Sequence, residues 1–121
     1  MFIKQMKEFK GNIEKLTLKN TYYRKVINTT ENSQLVLMCI QPGDEIGREK
    51  HDNTTQFIRI ESGKGIAYIK NKRYNLKDGD AIVIPNNTYH NIINTGKKEL
   101  KLYSIYSPPV HSPKTKTKLK I

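Results

Sequence analysis

This sequence predicts an all-β domain, a sandwich or a barrel. Three observations predict it. Runs rich in Val, Ile, Tyr, Thr and Leu recur through the middle of the chain. Turn residues separate them at short intervals, at Pro42-Gly43-Asp44, Ser62-Gly63-Lys64-Gly65, Lys77-Asp78-Gly79-Asp80 and Thr95-Gly96-Lys97. The length, 121 residues, suits one domain with a modest core and not two.

Taken in order, residues 1–20 are Lys-rich, with apolar positions at Phe2, Ile3, Met6, Phe9, Ile13, Leu16 and Leu18. The early part has loose helix-like spacing. The later part, Ile13 to Leu18, reads as extended, a lead-in arm followed by a first strand. Residues 21–30 are β-prone and end in a polar turn around Asn28 to Asn32. Ser33 to Ile40 is a nearly continuous apolar strand containing the single Cys39, expected as a buried reduced thiol. Glu45 to His51 reads as a short polar strand, and Gln56 to Glu61 as a strand with alternating character. Ile66 to Lys70 pairs back as a hairpin, and Tyr74 to Leu76 is a short strand. Ala81 to Ile84 is a buried strand ended by Pro85. His90 to Asn94 and Leu100 to Tyr106 are two more strands, the last closed by Pro108 and Pro109. The chain divides into an arm with first strands (1–32), a core (33–111) and a basic tail (112–121) expected to be mobile or laid along the surface, one domain overall.

The formal net charge is +11, from 22 basic and 11 acidic residues. Of the basic residues 18 are Lys, they are dispersed, and no Arg cluster appears. Nucleic acid is therefore not expected as a partner, although a salt-sensitive contact through the tail stays open. No run approaches the roughly 18 apolar residues of a membrane helix. The first residues lack the long apolar region of a secretory signal, so a cytoplasmic protein is expected.

Two motifs carry chemistry. The first runs Gly43, Glu49, His51, Gln56, Gly63, spaced G-x5-E-x-H-x4-Q-x6-G; the second runs Gly79, Pro85, Asn87, His90, Asn94, spaced G-x5-P-x-N-x2-H-x3-N. Side chains alternate along a strand, so Glu49 and His51 face one way. By the same parity Gln56 shares a face with Ile58 and Ile60, and His90 with Ile92 and Asn94. A narrow barrel would bring these strands around one lumen, where a polar cluster needs partners or a metal. Two imidazoles, a carboxylate and an amide oxygen make a mixed N/O donor set that suits zinc, manganese, iron or nickel. Glu49, His51, Gln56 and His90 are thus the candidate ligands for one divalent metal ion. Glu49 could instead pair with Arg48 or Lys50, and Gln56 could hydrogen-bond without ligating.

The spacing resembles the two-part signature of the cupin family, usually written G-x5-H-x-H-x3-4-E-x6-G and G-x5-P-x-G-x2-H-x3-N. Glu49 stands where His is common, Gln56 where Glu is common, and Asn87 where Gly is common. Asn tolerates left-handed backbone, so the last change is mild. Glu49-Lys-His51, Gln56 to Gly63, Asp78-Gly-Asp80, His90 to Asn94 and Leu102 to Pro109 resemble a small single-domain branch described as mannose-6-phosphate isomerase-like. The resemblance implies a double-stranded β-helix, a jelly-roll-like barrel. It also implies a metal-dependent enzyme acting on a small polar carbonyl or sugar-phosphate substrate. A homodimer is expected, for which an exposed strand edge near residues 1–30 would be the physical reason. A non-catalytic module that binds or senses a small ligand, and an iron-dependent dioxygenase, are the alternatives.

Six further residues carry expectations. His111 is expected on a surface loop, the alternative being a cap on the cavity, and Glu45 at a solvent-facing edge, the alternative being the cavity mouth. Tyr68, Tyr103 and Tyr106 are expected to line or seal the barrel, and Arg59 to face outward.

Overall fold

A computed structural model describes residues 7–120. The expected helix-like spacing at Phe2, Ile3 and Met6 lies outside the described residues. One helix, α1 (Ile13–Lys19), precedes nine strands: β1 (Arg24–Thr29), β2 (Gln34–Ile40), β3 (Thr55–Ser62), β4 (Lys64–Ile69), β5 (Lys72–Lys77), β6 (Ala81–Ile84), β7 (His90–Asn94), β8 (Leu100–Ser107) and β9 (Lys116–Thr117). They form two antiparallel sheets. One is six-stranded, in the order β6-β3-β8-β2-β1-β9, and the other three-stranded, β5-β4-β7. The all-β double-stranded β-helix expected from the sequence is the fold observed.

The register between β2, β8 and β3 stacks the interior in layers. Gln34, Tyr106 and Gln56 are cross-strand neighbours. Below them come Val36, Ser104 and Ile58, then Met38, Leu102 and Ile60. All nine are almost fully buried. One polar layer therefore sits above a largely apolar core, which Ala67, Leu76, Ile84 and Ile92 complete from the other strands. At β2 the burial is near-continuous because α1 covers the outer face of this sheet, with Thr17 wholly buried.

Ile13 to Leu18, expected as extended, is helical instead. Asn12 caps it, its side chain accepting from the Lys15 amide at 3.0 Å. Glu14 in the first turn and Lys19 in the last complement the helix dipole. The apolar alternation of Leu16 and Leu18 mimics a strand, and over only seven residues the capping signal decides the outcome.

Glu45 to His51 forms no regular strand. It runs beside β7 through two isolated bridges, Glu45 with Ile93 and Glu49 with His90. Gly47 breaks the regularity at φ +106°, and its amide donates to the Asn91 side chain at 2.8 Å. The tail lies along the surface, where β9 pairs with β1 at Arg24 and Lys25. That pairing covers the Arg24 and Lys25 positions of the β1 edge invoked for a dimer, where β1 lies between β2 and β9.

Candidate metal centre

His90 opens β7 with its side chain on the interior face and 3% of its surface exposed. Its Nδ1 lies 2.9 Å from the Thr88 carbonyl. A carbonyl only accepts, so Nδ1 donates to it, and in the neutral form of the ring the lone pair then sits on Nε2. That Nε2 is buried and has no hydrogen-bond partner. It sits 3.7 Å from Glu49 Oε1. His51 Nε2 lies 3.1 Å from the same oxygen. The reciprocal backbone bonds between Glu49 and His90, 2.9 Å each, hold the carboxylate against β7.

Candidate ligand atoms of Glu49, His51 and His90 all lie within 4.8 Å of one another. This spacing and this donor set could hold one divalent ion. Burial pushes the Glu49 pKa up, but His51 and His90, once their rings are protonated, outweigh it by hydrogen bonding and charge and hold the carboxyl at about 2. The carboxylate is therefore ionised across the neutral range. Side-chain exposures of 29% for Glu49 and 17% for His51, against 2% for His90, leave the centre open on one side. An incoming molecule can approach there.

Gln56 lies in the polar layer with Gln34 and Tyr106. Its Nε2 donates to Ser104 Oγ and to Tyr106 Oη, at 3.2 Å each. Both amide hydrogens are thus used, and Oε1 is left buried with no partner. An acceptor in that state fits a role toward a cation or its water. Tyr106 connects the layers: its ring meets His51 edge-on at 5.6 Å between centroids. Burial drives the Tyr106 pKa far above the usual phenol range, so its hydroxyl remains a neutral donor.

Of the three tyrosines expected to line the barrel, only Tyr106 does. Tyr68 is 40% exposed, and Tyr103 stacks with Phe57 on the outer face, at 6.2 Å between ring centroids. Arg59 faces outward as expected, 3.9 Å from Glu61. Glu45 is less free than expected, because its Oε1 accepts from Asn91 at 2.7 Å.

His111 is half-buried rather than exposed on a loop. Its ring meets Tyr106 edge-on at 5.1 Å, and its Nε2 is buried with no partner. Gln34, itself 1% exposed, fixes its backbone: Gln34 Nε2 donates to the His111 carbonyl at 2.7 Å. In return Gln34 Oε1 accepts from the amides of Val110 and His111. Burial pushes the His111 pKa down to about 4, helped by the Arg24 guanidinium. The ring is neutral at physiological pH. The signal that could have placed it was Gln34, a polar residue opening an otherwise apolar strand.

The cupin domain model matches residues 36–106, more than half of the chain. The chain belongs to the cupin family. An uncharacterized protein of Acanthamoeba polyphaga mimivirus is 46% identical over 117 residues, 93% of this chain and 73% of that protein. The uncharacterized protein YrkC of Bacillus subtilis is 45% identical over 111 residues, and this chain spans only 60% of its length. A crystal structure from Bacillus halodurans superposes with a TM-score of 0.91 at 39% identity, covering 93% of this chain and 89% of its own. A structure described as a predicted oxalate decarboxylase from Thermotoga maritima superposes at 0.62 over 65% of this cupin and 69% of its own chain. At 24% identity that likeness is one of fold alone.

Proposed function

We propose that this cupin is a metal-dependent enzyme acting on a small polar carbonyl or sugar compound, sugar phosphates included, with an isomerase as the form the sequence resemblance favours. The observation that carries the reading is the His90 imidazole. Its Nδ1 donates to Thr88, and its Nε2 is buried, without a hydrogen-bond partner and 3.7 Å from Glu49 Oε1. A buried acceptor is costly to leave unsatisfied, and a cation would satisfy it.

Glu49, His51 and His90 would hold the ion, and the unpartnered Gln56 Oε1 would be the fourth donor, to the ion or to its water. A divalent metal there would supply Lewis-acid polarisation of a substrate carbonyl. Tyr106 offers a fixed O–H whose oxygen already accepts from Gln56. The exposed side of Glu49 and His51 admits the substrate.

The test is solvent deuterium exchange at the carbon beside a carbonyl, followed by NMR on the metal-loaded protein. The panel comprises sugar phosphates, hydroxy acids and diketones. Exchange with at least one class is expected, reduced by at least about a hundredfold in His51→Ala/His90→Ala. Ligand-induced stabilisation without exchange in any class would replace the enzyme by a binding or sensing module.

A further inference from the structure

Arg24 has no role in the reading so far, yet it faces the interior. It pairs across strands with Met38, which is wholly buried in the core, so both side chains lie on one face of the six-stranded sheet. Lys25, its neighbour, has the opposite parity. The Arg24 guanidinium lies over the buried Tyr23 ring at 5.1 Å, and its Nε is buried with no hydrogen-bond partner. Among the described residues it forms no ion pair. A half-buried guanidinium without a counter-ion is an unusual expense for a fold.

Arg24 and the metal centre act on the same buried rings. Tyr23, Tyr106 and His111 each feel both the Arg24 charge and the Glu49 charge. The rings of His90, His51, Tyr106 and His111 form a continuous chain, with centroid spacings of 5.5, 5.6 and 5.1 Å. Arg24 Nε, His111 Nε2, Gln56 Oε1 and His90 Nε2, at the two ends of this chain and along it, are all buried without a hydrogen-bond partner. Gln34 pins the His111 end of that chain of rings.

We propose that Arg24, with His111 beside it, holds the carboxylate of a small substrate whose neighbouring oxygens face the metal centre. This rests on the metal-centre reading above and narrows its substrate to hydroxy or keto acids. A guanidinium matches a carboxylate in planar geometry. One positive charge among aromatic rings balances one carboxylate, whereas a phosphate dianion calls for further donors. The neutral His111 can complete the site as a hydrogen-bond donor through its unpartnered Nε2. The overall charge of +11 attracts such anions from a distance.

The test uses the full chain loaded with Co2+, titrated with glycolate, its neutral amide glycolamide, and inorganic phosphate. Calorimetry and the Co2+ visible spectrum are read together. In the wild type, glycolate is expected to bind at least about tenfold tighter than glycolamide. Arg24→Gln should weaken glycolate by about tenfold or more, leave glycolamide unchanged, and keep Co2+ affinity within about twofold. Arg24→Lys should recover part of the loss. Lys25→Gln, which removes the same charge from the other face, should change nothing. Equal glycolate binding by wild type and Arg24→Gln, with Co2+ held by both, overturns the proposal and leaves the metal centre standing. Phosphate bound as tightly as glycolate overturns the carboxylate assignment. No Co2+ uptake by the wild type fails the metal-centre reading itself.

Discussion

Three imidazoles in this protein have three different fates. Thr88 fixes the His90 tautomer, Glu49 engages His51, and Tyr106 and Gln34 enclose His111. The last has a consequence for stability. With its pKa pushed down by burial to about 4, against an ordinary 6.5, His111 stays neutral in the fold while the unfolded chain takes up a proton. The unfolded state then binds more protons between about pH 6.5 and 4, so stability falls as pH falls through that window. Glu49 adds a second loss lower down, between 4.5 and about 2, because its ionised form is the one the fold favours. His111→Gln should therefore flatten the acid loss between about pH 6.5 and 4 and leave the lower window intact. Urea midpoints of both proteins at pH 7, 5.5 and 4 would read this. Parallel slopes would contradict it.

Local geometry explains why single elements settle where they do, and also what could be read in advance. Gly63 joins β3 to β4 at φ +91°, and a Cβ there would stand 2.5 Å from the Glu99 carbonyl oxygen. Gly63→Ala combines a left-handed penalty with a backbone clash, so a loss of at least about 2 kcal/mol is expected, measured by urea unfolding. A change below about 0.5 kcal/mol would mean that the hairpin moves freely. Asn87, standing where the family has Gly, takes φ +59° as its side chain allows. The strands from β2 to β8 were legible because alternation, turn glycines and prolines all agree in those segments. Ile13 to Leu18 was misread because two apolar residues at strand spacing outweighed an Asn cap. Glu45 to His51 departs from a strand at Gly47, yet Glu49 and His51 still meet, held by bonds to β7.

At the scale of the whole molecule, a β-helix with one polar layer above an apolar core brings distant motifs to one place. Glu49, His51 and His90 converge as their spacing implied, because the family motif encodes that geometry. Gln56 has both amide hydrogens spent on Ser104 and Tyr106, which leaves its buried Oε1 as an unpartnered acceptor. The inward placement of Arg24 was not legible, and that of His111 only as the alternative of a cap on the cavity. Their roles depend on the register of β1 against β2 and on Gln34 reaching across 77 positions, which no local pattern reveals. No helix among the described residues is long and apolar enough to cross a membrane.

The central claim is that the Glu49, His51 and His90 cluster is a metal centre. Metal content by mass spectrometry, on protein purified without chelator or a histidine tag, tests it most directly, with His51→Ala/His90→Ala alongside. The account predicts about one equivalent of a single divalent metal in the wild type, lost in the variant while the fold is kept. A wild type that carries no metal and takes up none on titration with zinc, manganese, iron or nickel would contradict it.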